Sequence, residues 1–160
     1  MAPSMTMSDC VAQNAPSREW ICGDDYPRLF EDKGLSDYTT REVGQEGEHL
    51  AALNLALKGY DILERNWRCK YGEADIVAQD GDVVVLVEVK TRIDPRGESN
   101  IVPELAVNER KRIRYQKIAL TYYNEHPGLY SVRFDVIAIK LATRHAAELL
   151  HFESAFSWEE

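Results

Sequence analysis

The sequence predicts an α/β protein with a central mixed β-sheet flanked by helices, in the element order αβββαββ. Three observations carry this. Residues 60–92 hold three β-rich runs in close succession, "YDILERNWRC", "EADIVAQ" and "DVVVLVEVKTR". The last of these is apolar on both faces, as a strand covered from two sides must be. Runs with helical apolar spacing lie before and after this block, and strand patterning then returns in "YSVRFDVIAIK" and "AELLHFESAF".

The first helix is predicted over "REVGQEGEHLAALNLALKG", residues 41–59. Thr39 and Glu42 fit a capping box, and Gly59 fits a C-terminal stop. Leu50, Leu53 and Leu57 are expected on its buried side, with Ala51 and Leu55 beside them. Glu48 falls on or beside that stripe. Gly44 and Gly47 each cost a helix about 1 kcal/mol against alanine, which makes sense where another group approaches the backbone closely. Between the second and third strands, Asp80-Gly81 reads as a two-residue hairpin loop. That register places Asp75 opposite Leu86, with Glu88 as its diagonal neighbour roughly 7–8 Å away. Asp75, Glu88 and Lys90 then share one face. The second helix is expected from Pro103 to about Asn124, ended by Pro127-Gly128, with Ala106, Ile113, Leu120 and Tyr123 on one face widened by Ile118 and Ala119.

A chain of 160 residues with 44% apolar content is most economically one core. No run of 18 apolar residues could span a bilayer, and no basic stretch followed by an apolar block opens the chain. Cys10, Cys22 and Cys69 are odd in number, widely spaced and without a CxxC pair. They read as reduced thiols in a cytoplasmic setting and speak against a disulfide frame or a zinc site. Residues 1–40 carry seven acidic and three basic side chains and show no clear period. They are expected to form an acidic extension, poorly structured or docked, with a short helix near "YPRLFEDKG" and with Trp20, Tyr26 and Phe30 available to dock it.

Glu88 and Lys90 end a covered strand close to Asp75. Charges so placed cost several kcal/mol unless they satisfy one another or hold a metal. A plain salt-bridged strand end is one reading. The other is a metal site: two convergent carboxylates with an open side suit Mg²⁺, which keeps waters. An ion so held can activate water and offset charge on a phosphodiester oxygen. A lysine beside it could orient that water or stabilise the transition state.

Asp75, twelve intervening residues, then Glu88-Val89-Lys90, after a helix carrying Glu48, resembles the PD-(D/E)XK nuclease superfamily. More narrowly, four stretches resemble the small YraN-like family of bacterial predicted endonucleases. They are "GQEGEHLAA", "GYDILERNWRCKYGEADIVAQDGDVVVLVEVKTR", "PELAV" with Lys111, and "RFDVIAI". Ala74 stands where that family would carry isoleucine before the aspartate. The resemblance covers residues 41–156 and implies a restriction-endonuclease-like nuclease domain related to Holliday-junction resolvases. It implies Mg²⁺ or Mn²⁺ held by Asp75, Glu88 and the Val89 carbonyl, with Lys90 at the water. Glu48 would bind through water or shape a second site. The implied activity is endonucleolytic hydrolysis of DNA, on branched or damaged substrates in repair or recombination.

Arg110, Lys111, Arg112, Arg114 and Lys117 place five cations in eight residues. Such a run is either a solvated face or a nucleic-acid contact, with Lys111 foremost and Arg110, Arg114, Arg92, Thr91 and Tyr71 as further phosphate contacts. The net charge of −8 argues against a generic nucleic-acid coat. A structured substrate or a homodimer would concentrate contacts despite it. Glu73 shares the parity of Asp75 and is expected beside the ion rather than on it. Asp135 is expected to hold an arginine, and Trp67 to pack in the core or, less simply, to stack on a base. A non-catalytic nucleic-acid-binding or scaffold protein that keeps the nuclease fold is the alternative function. A third reading gives residues 1–40 a protein-interaction role.

Overall fold

Thr39 opens the first helix, α1 (Thr40–Leu57), with a complete capping box. Its N–H donates to Glu42 Oε2 at 2.8 Å, and the Glu42 N–H donates to Thr39 Oγ1 at 3.2 Å. The helix closes as a Schellman motif. Gly59, at φ +93°, donates to the Ala56 carbonyl, and Tyr60 donates to that of Leu55. These details come from a computed structural model, which describes residues 16–22, 34–96, 109–143 and 146–155.

Six strands form one mixed sheet among the described residues. They are β1 (Ser17–Cys22), β2 (Asp61–Cys69), β3 (Gly72–Asp80), β4 (Val83–Ile93), β5 (Ser131–Thr143) and β6 (Ala146–Phe152), in the spatial order β1-β6-β5-β4-β3-β2. Among these described strands only β4 and β5 run parallel. Their crossover contains the second helix, α2 (Glu109–Glu125). The expected order αβββαββ is present from Thr40 onward, and the α/β architecture is that of a restriction-endonuclease-like core. The expected start of α2 at Pro103 lies outside the described residues.

The alternation of β4 divides the core. Val85, Val87 and Val89 pack with Ile137, Ile139 and Leu50 and Leu55 of α1. Val84 and Leu86 pack with Phe134 and with Tyr115, Ile118 and Tyr122 of α2. The strand is thus covered on both faces, as its valines require.

Within the acidic extension the described stretch Ser17–Cys22 is docked: as β1 it pairs antiparallel with β6 at the sheet edge. Polar ties hold it there: Asn54 Nδ2 donates to Glu19 Oε2 at 2.6 Å, and Lys58 Nζ lies 2.8 Å from Glu19 Oε1. Trp20 is largely exposed, while Tyr26, Phe30 and the expected short helix lie outside the described residues. The buried stripe of α1 is Val43, Gly47, Leu50, Ala51, Asn54 and Leu55, leaving Leu53 and Leu57 exposed. A polar residue occupies an inward slot because Asn54 has Glu19 to bind. On α2 the inward residues are Tyr115, Ile118, Ala119 and Tyr122, whereas Ile113, Leu120 and Tyr123 face solvent.

The hairpin register, like the helix faces, differs from expectation. Asp80 pairs with Val83 and Gln79 with Val84, so the loop is Gly81-Asp82. Gly81 has φ +58°, and Asp82 is not in the positive-φ region. Glycine at the first central position fits a type II′ turn, for which Gly-Asp is as good a signal as Asp-Gly is for type I′. The shift is two residues, so strand faces are conserved while Asp75 moves from the level of Leu86 to that of Glu88.

Candidate active site

Gly47 explains how α1 reaches the sheet beside the site. A Cβ there would lie 1.6 Å from Thr91 Oγ1, so only glycine admits this approach. Gly44, with nothing within 4 Å of its Cβ position, has no such reason. Glu48 follows Gly47 and stands half-buried. Arg65 Nη2 lies 3.9 Å from its Oε2, and the Asn66 side chain hydrogen-bonds it. Asn66 has φ +53°, a conformation asparagine tolerates better than most residues. It lies between two cross-strand pairs, Arg65 with Ile76 and Trp67 with Ala74, level with Asp75.

The strand alternation breaks at Asp75. Ala74 packs on the α2 side and Ile76 on the α1 side. Pairing of β3 with β4 runs only from Asp80 to Ile76. Beyond it, the Asp75 side chain takes the place of a backbone acceptor: Oδ2 accepts the Val89 N–H at 2.7 Å. The N–H and C=O of a strand residue leave toward the same neighbour, so the Val89 carbonyl also faces the Asp75 side. Glu88, almost wholly buried, is 2.7 Å from Lys90 Nζ, which is itself exposed. The Tyr115 hydroxyl, on α2, is shared between Arg114, which donates to it, and Glu88, which accepts from it. Tyr115 stacks on Phe134 with centroids 4.3 Å apart, which fixes the ring.

Burial and the neighbouring carboxylates of Glu88, Glu48 and Glu73 push the Asp75 carboxyl up to about 7, against the lowering effect of the Val89 N–H. Burial also raises Glu48, opposed first by Arg65. Burial and the charge of Glu88 push the Tyr115 phenol up to about 12.

Asp75, Glu88 and the Val89 carbonyl offer oxygen donors, the chemistry that Mg²⁺ or Mn²⁺ prefers. Among the described residues, no three Asp, Glu, His or Cys side chains already converge as a metal cage. The donors fit an ion held by two carboxylates, a carbonyl and waters, and they do not fit a closed cage.

Of the other sequence-predicted residues, Glu73 is exposed and bound to Arg68, Oε2 to Nε 3.0 Å. Arg92 lies at the end of β4, in a shallow groove with Tyr38 and Thr40. Arg110 and Arg114 are exposed on α2, and Lys111 is half-buried there. Tyr71 occupies the β2–β3 turn. Trp67, partly buried, packs edge-on against Tyr122 at 5.0 Å, at the border of the core. Asp135 holds Arg133 as expected, Oδ1 to Nε 3.0 Å, and also accepts from His151 Nε2 at 2.8 Å and the Ser154 N–H at 2.9 Å. Tyr115 and Asn66 were not singled out from sequence. Tyrosine in a helical stripe gives no sign of what its hydroxyl will meet, and a lone asparagine inside a strand is a faint sign of a kink.

The family described as "Uncharacterised protein family UPF0102" matches residues 47–139. A UPF0102 protein of Thermodesulfovibrio yellowstonii is 44% identical over 115 residues, 72% of this chain and 96% of that protein. One of Syntrophus aciditrophicus is 46% identical over 100 residues, 62% of this chain and 76% of its own length. One of Moorella thermoacetica is 47% identical over 105 residues, 64% and 84%. UPF0102 is the YraN-like family, within the PD-(D/E)XK nuclease superfamily. The matched span contains Glu48, Asp75, Glu88 and Lys90.

Proposed function

This chain belongs to the UPF0102 family, and from that premise we propose that it is a metal-dependent endonuclease that hydrolyses DNA phosphodiester bonds. One observation carries the reading: Asp75, Glu88 and Lys90 meet where β3 leaves β4, with Asp75 on the Val89 N–H and Lys90 on Glu88, each at 2.7 Å. A salt-bridged strand end would need no second carboxylate pushed up to about 7 beside it.

Asp75, Glu88 and the Val89 carbonyl are the groups that would hold Mg²⁺ or Mn²⁺, with Glu48 acting through water. The ion, when bound, would supply charge to offset that of the attacked phosphate and to activate water. The Val89 N–H fixes Asp75 Oδ2, and Tyr115 fixes Glu88, so neither carboxylate has to be ordered at the moment of reaction. The Lys90 ammonium, exposed and flexible, would leave Glu88 for the attacking water or a phosphate oxygen. Arg92, Arg110, Lys111 and Arg114 would hold flanking phosphates.

The test is cleavage of branched, flapped and linear DNA with Mn²⁺ or Mg²⁺. Lys90→Met should lower the rate about 10²-fold or more while leaving the fold intact. Equal rates for the wild type and Lys90→Met, or no cleavage of any substrate, would sink the reading. In the latter case the alternative is a nucleic-acid-binding protein that keeps the fold. The observation in its favour is the Lys90–Glu88 contact, which already neutralises one carboxylate.

A further inference from the structure

At the β2–β3 turn, the partly exposed ring of Tyr71 meets cations drawn from two elements. Lys70 Nζ lies 5.0 Å from the ring centroid, and Lys117 Nζ, from α2, lies 5.4 Å from it. The turn is seated directly on α2: a Cβ at Gly72 would lie 3.1 Å from Ile118 Cδ1 and 3.9 Å from Arg114 Cδ. Gly72 has φ +146°, outside the range side chains prefer, so turn and helix are held close by a residue that only glycine suits.

This cluster is joined to the candidate active site. Arg114 precedes Tyr115, whose hydroxyl binds Glu88. Tyr71 lies four residues before Asp75, a span of at most roughly 13 Å along the chain. Basic and aromatic side chains thus lie near the Asp75 carboxylate in a chain of net charge −8.

We propose that Tyr71, flanked by Lys70 and Lys117, is a stacking platform for an unpaired base, and that the substrate is nucleic acid with a single-stranded segment beside the cleavage point. An aromatic face bordered by cations binds any unpaired base without reading its sequence. Duplex offers no free base face, and its affinity rests on phosphate contacts that an acidic protein makes poorly. Each lysine has somewhere to go when a base arrives: an ammonium displaced from the ring meets the phosphate beside that base. The proposal deepens the nuclease reading and takes its cleavage point from it, but binding can be measured without any cleavage.

The experiment is fluorescence anisotropy with the full chain in EDTA, using labelled oligothymidylate and a duplex of equal length. The wild type should bind the single strand more tightly than the duplex. Tyr71→Ala should weaken single-strand binding about tenfold and duplex binding less than twofold, while Tyr71→Phe keeps both. Circular dichroism would confirm that the variants fold. Equal losses on both nucleic acids, no loss in Tyr71→Ala, or no single-strand binding by the wild type would overturn the proposal. Tyr71-dependent binding that persists in an inactive Lys90→Met protein would sustain it even if no cleavage were found. Metal-dependent cleavage indifferent to Tyr71 would remove the platform and leave the nuclease.

Discussion

Asp75 and Val89, on adjacent strands, are joined where their ladder has ended: Asp75 Oδ2 accepts the Val89 N–H at 2.7 Å. A side-chain carboxylate thus replaces a main-chain carbonyl as the partner of a strand N–H. That single bond orders Asp75 beside Glu88.

The same placement makes Asp75 a liability without a cation. Its carboxyl is raised in the folded state to about 7 from an ordinary value near 4. Between those values the folded chain holds a proton that the unfolded chain releases. The stabilising contribution of this group is therefore complete below about pH 4 and is lost as pH rises through about 7. Asp75→Asn, which can still accept the Val89 N–H, should be more stable than wild type at pH 8 in EDTA by on the order of 2 kcal/mol. The gap should shrink toward pH 5. Urea unfolding at both pH values measures it; a gap independent of pH would contradict the cause given for the shift.

Gly47 and Gly44 lie one helical turn apart and should respond oppositely to alanine. Gly44→Ala meets open space and should gain up to about 1 kcal/mol of helix propensity. Gly47→Ala drives a methyl into Thr91 and should lose about 1–3 kcal/mol or more. Denaturant midpoints of the two variants decide it. Stabilisation by both would mean that α1 does not approach β4 closely at Thr91.

The fold was most legible where local chemistry is specific. Thr39 with Glu42, Gly59, and the valine run of β4 each name their own structure, because capping, positive φ and two-sided burial admit few residues. The hairpin register was missed by two residues because "QDGD" contains both Asp-Gly and Gly-Asp, each a good loop for a different turn type. The helix faces were legible only in part, in Leu50, Ala51, Leu55, Ile118 and Ala119, because the rest of each buried stripe is polar or aromatic. Asn54 points inward to Glu19 and Tyr115 to Glu88, partners 35 and 27 residues away in sequence. Strand β1 was missed because its place at a sheet edge depends on β6, at the other end of the chain. Asp75, Glu88 and Lys90 were visible as a spacing, but their meeting at the end of the ladder depends on a break in pairing that the spacing does not encode.

Asp135 should be the acid-sensitive point of the structure. Burial alone would raise its carboxyl, but His151 and Arg133 hold it below the ordinary range. Stability from this group is present above about pH 4 and lost as pH falls through its lowered folded value. Asp135→Asn should cost about 3–5 kcal/mol at pH 7, since it leaves Arg133 without its main counter-charge. Thermal unfolding would show this as a large fall in midpoint. A variant within about 0.5 kcal/mol of wild type would mean the network around Asp135 is not holding β5 and β6 together.

Tyr115→Phe removes the hydroxyl bound to Glu88 while preserving the ring on Phe134. The loss of a hydrogen bond to a charged acceptor should cost about 1.5–3 kcal/mol in the metal-free protein. Unfolding in EDTA checks it, and an unchanged stability would indicate that Glu88 is held by Lys90 alone.

The most direct test of the central claim is calorimetric titration of Mn²⁺ into the wild type and into Asp75→Ala and Glu88→Gln. The expected result is saturable binding by the wild type that both substitutions abolish, with metal-dependent DNA cleavage lost in the same two proteins. Binding of equal strength in all three proteins, or none in the wild type, would contradict it and leave Glu88 and Lys90 as an ion pair closing a strand.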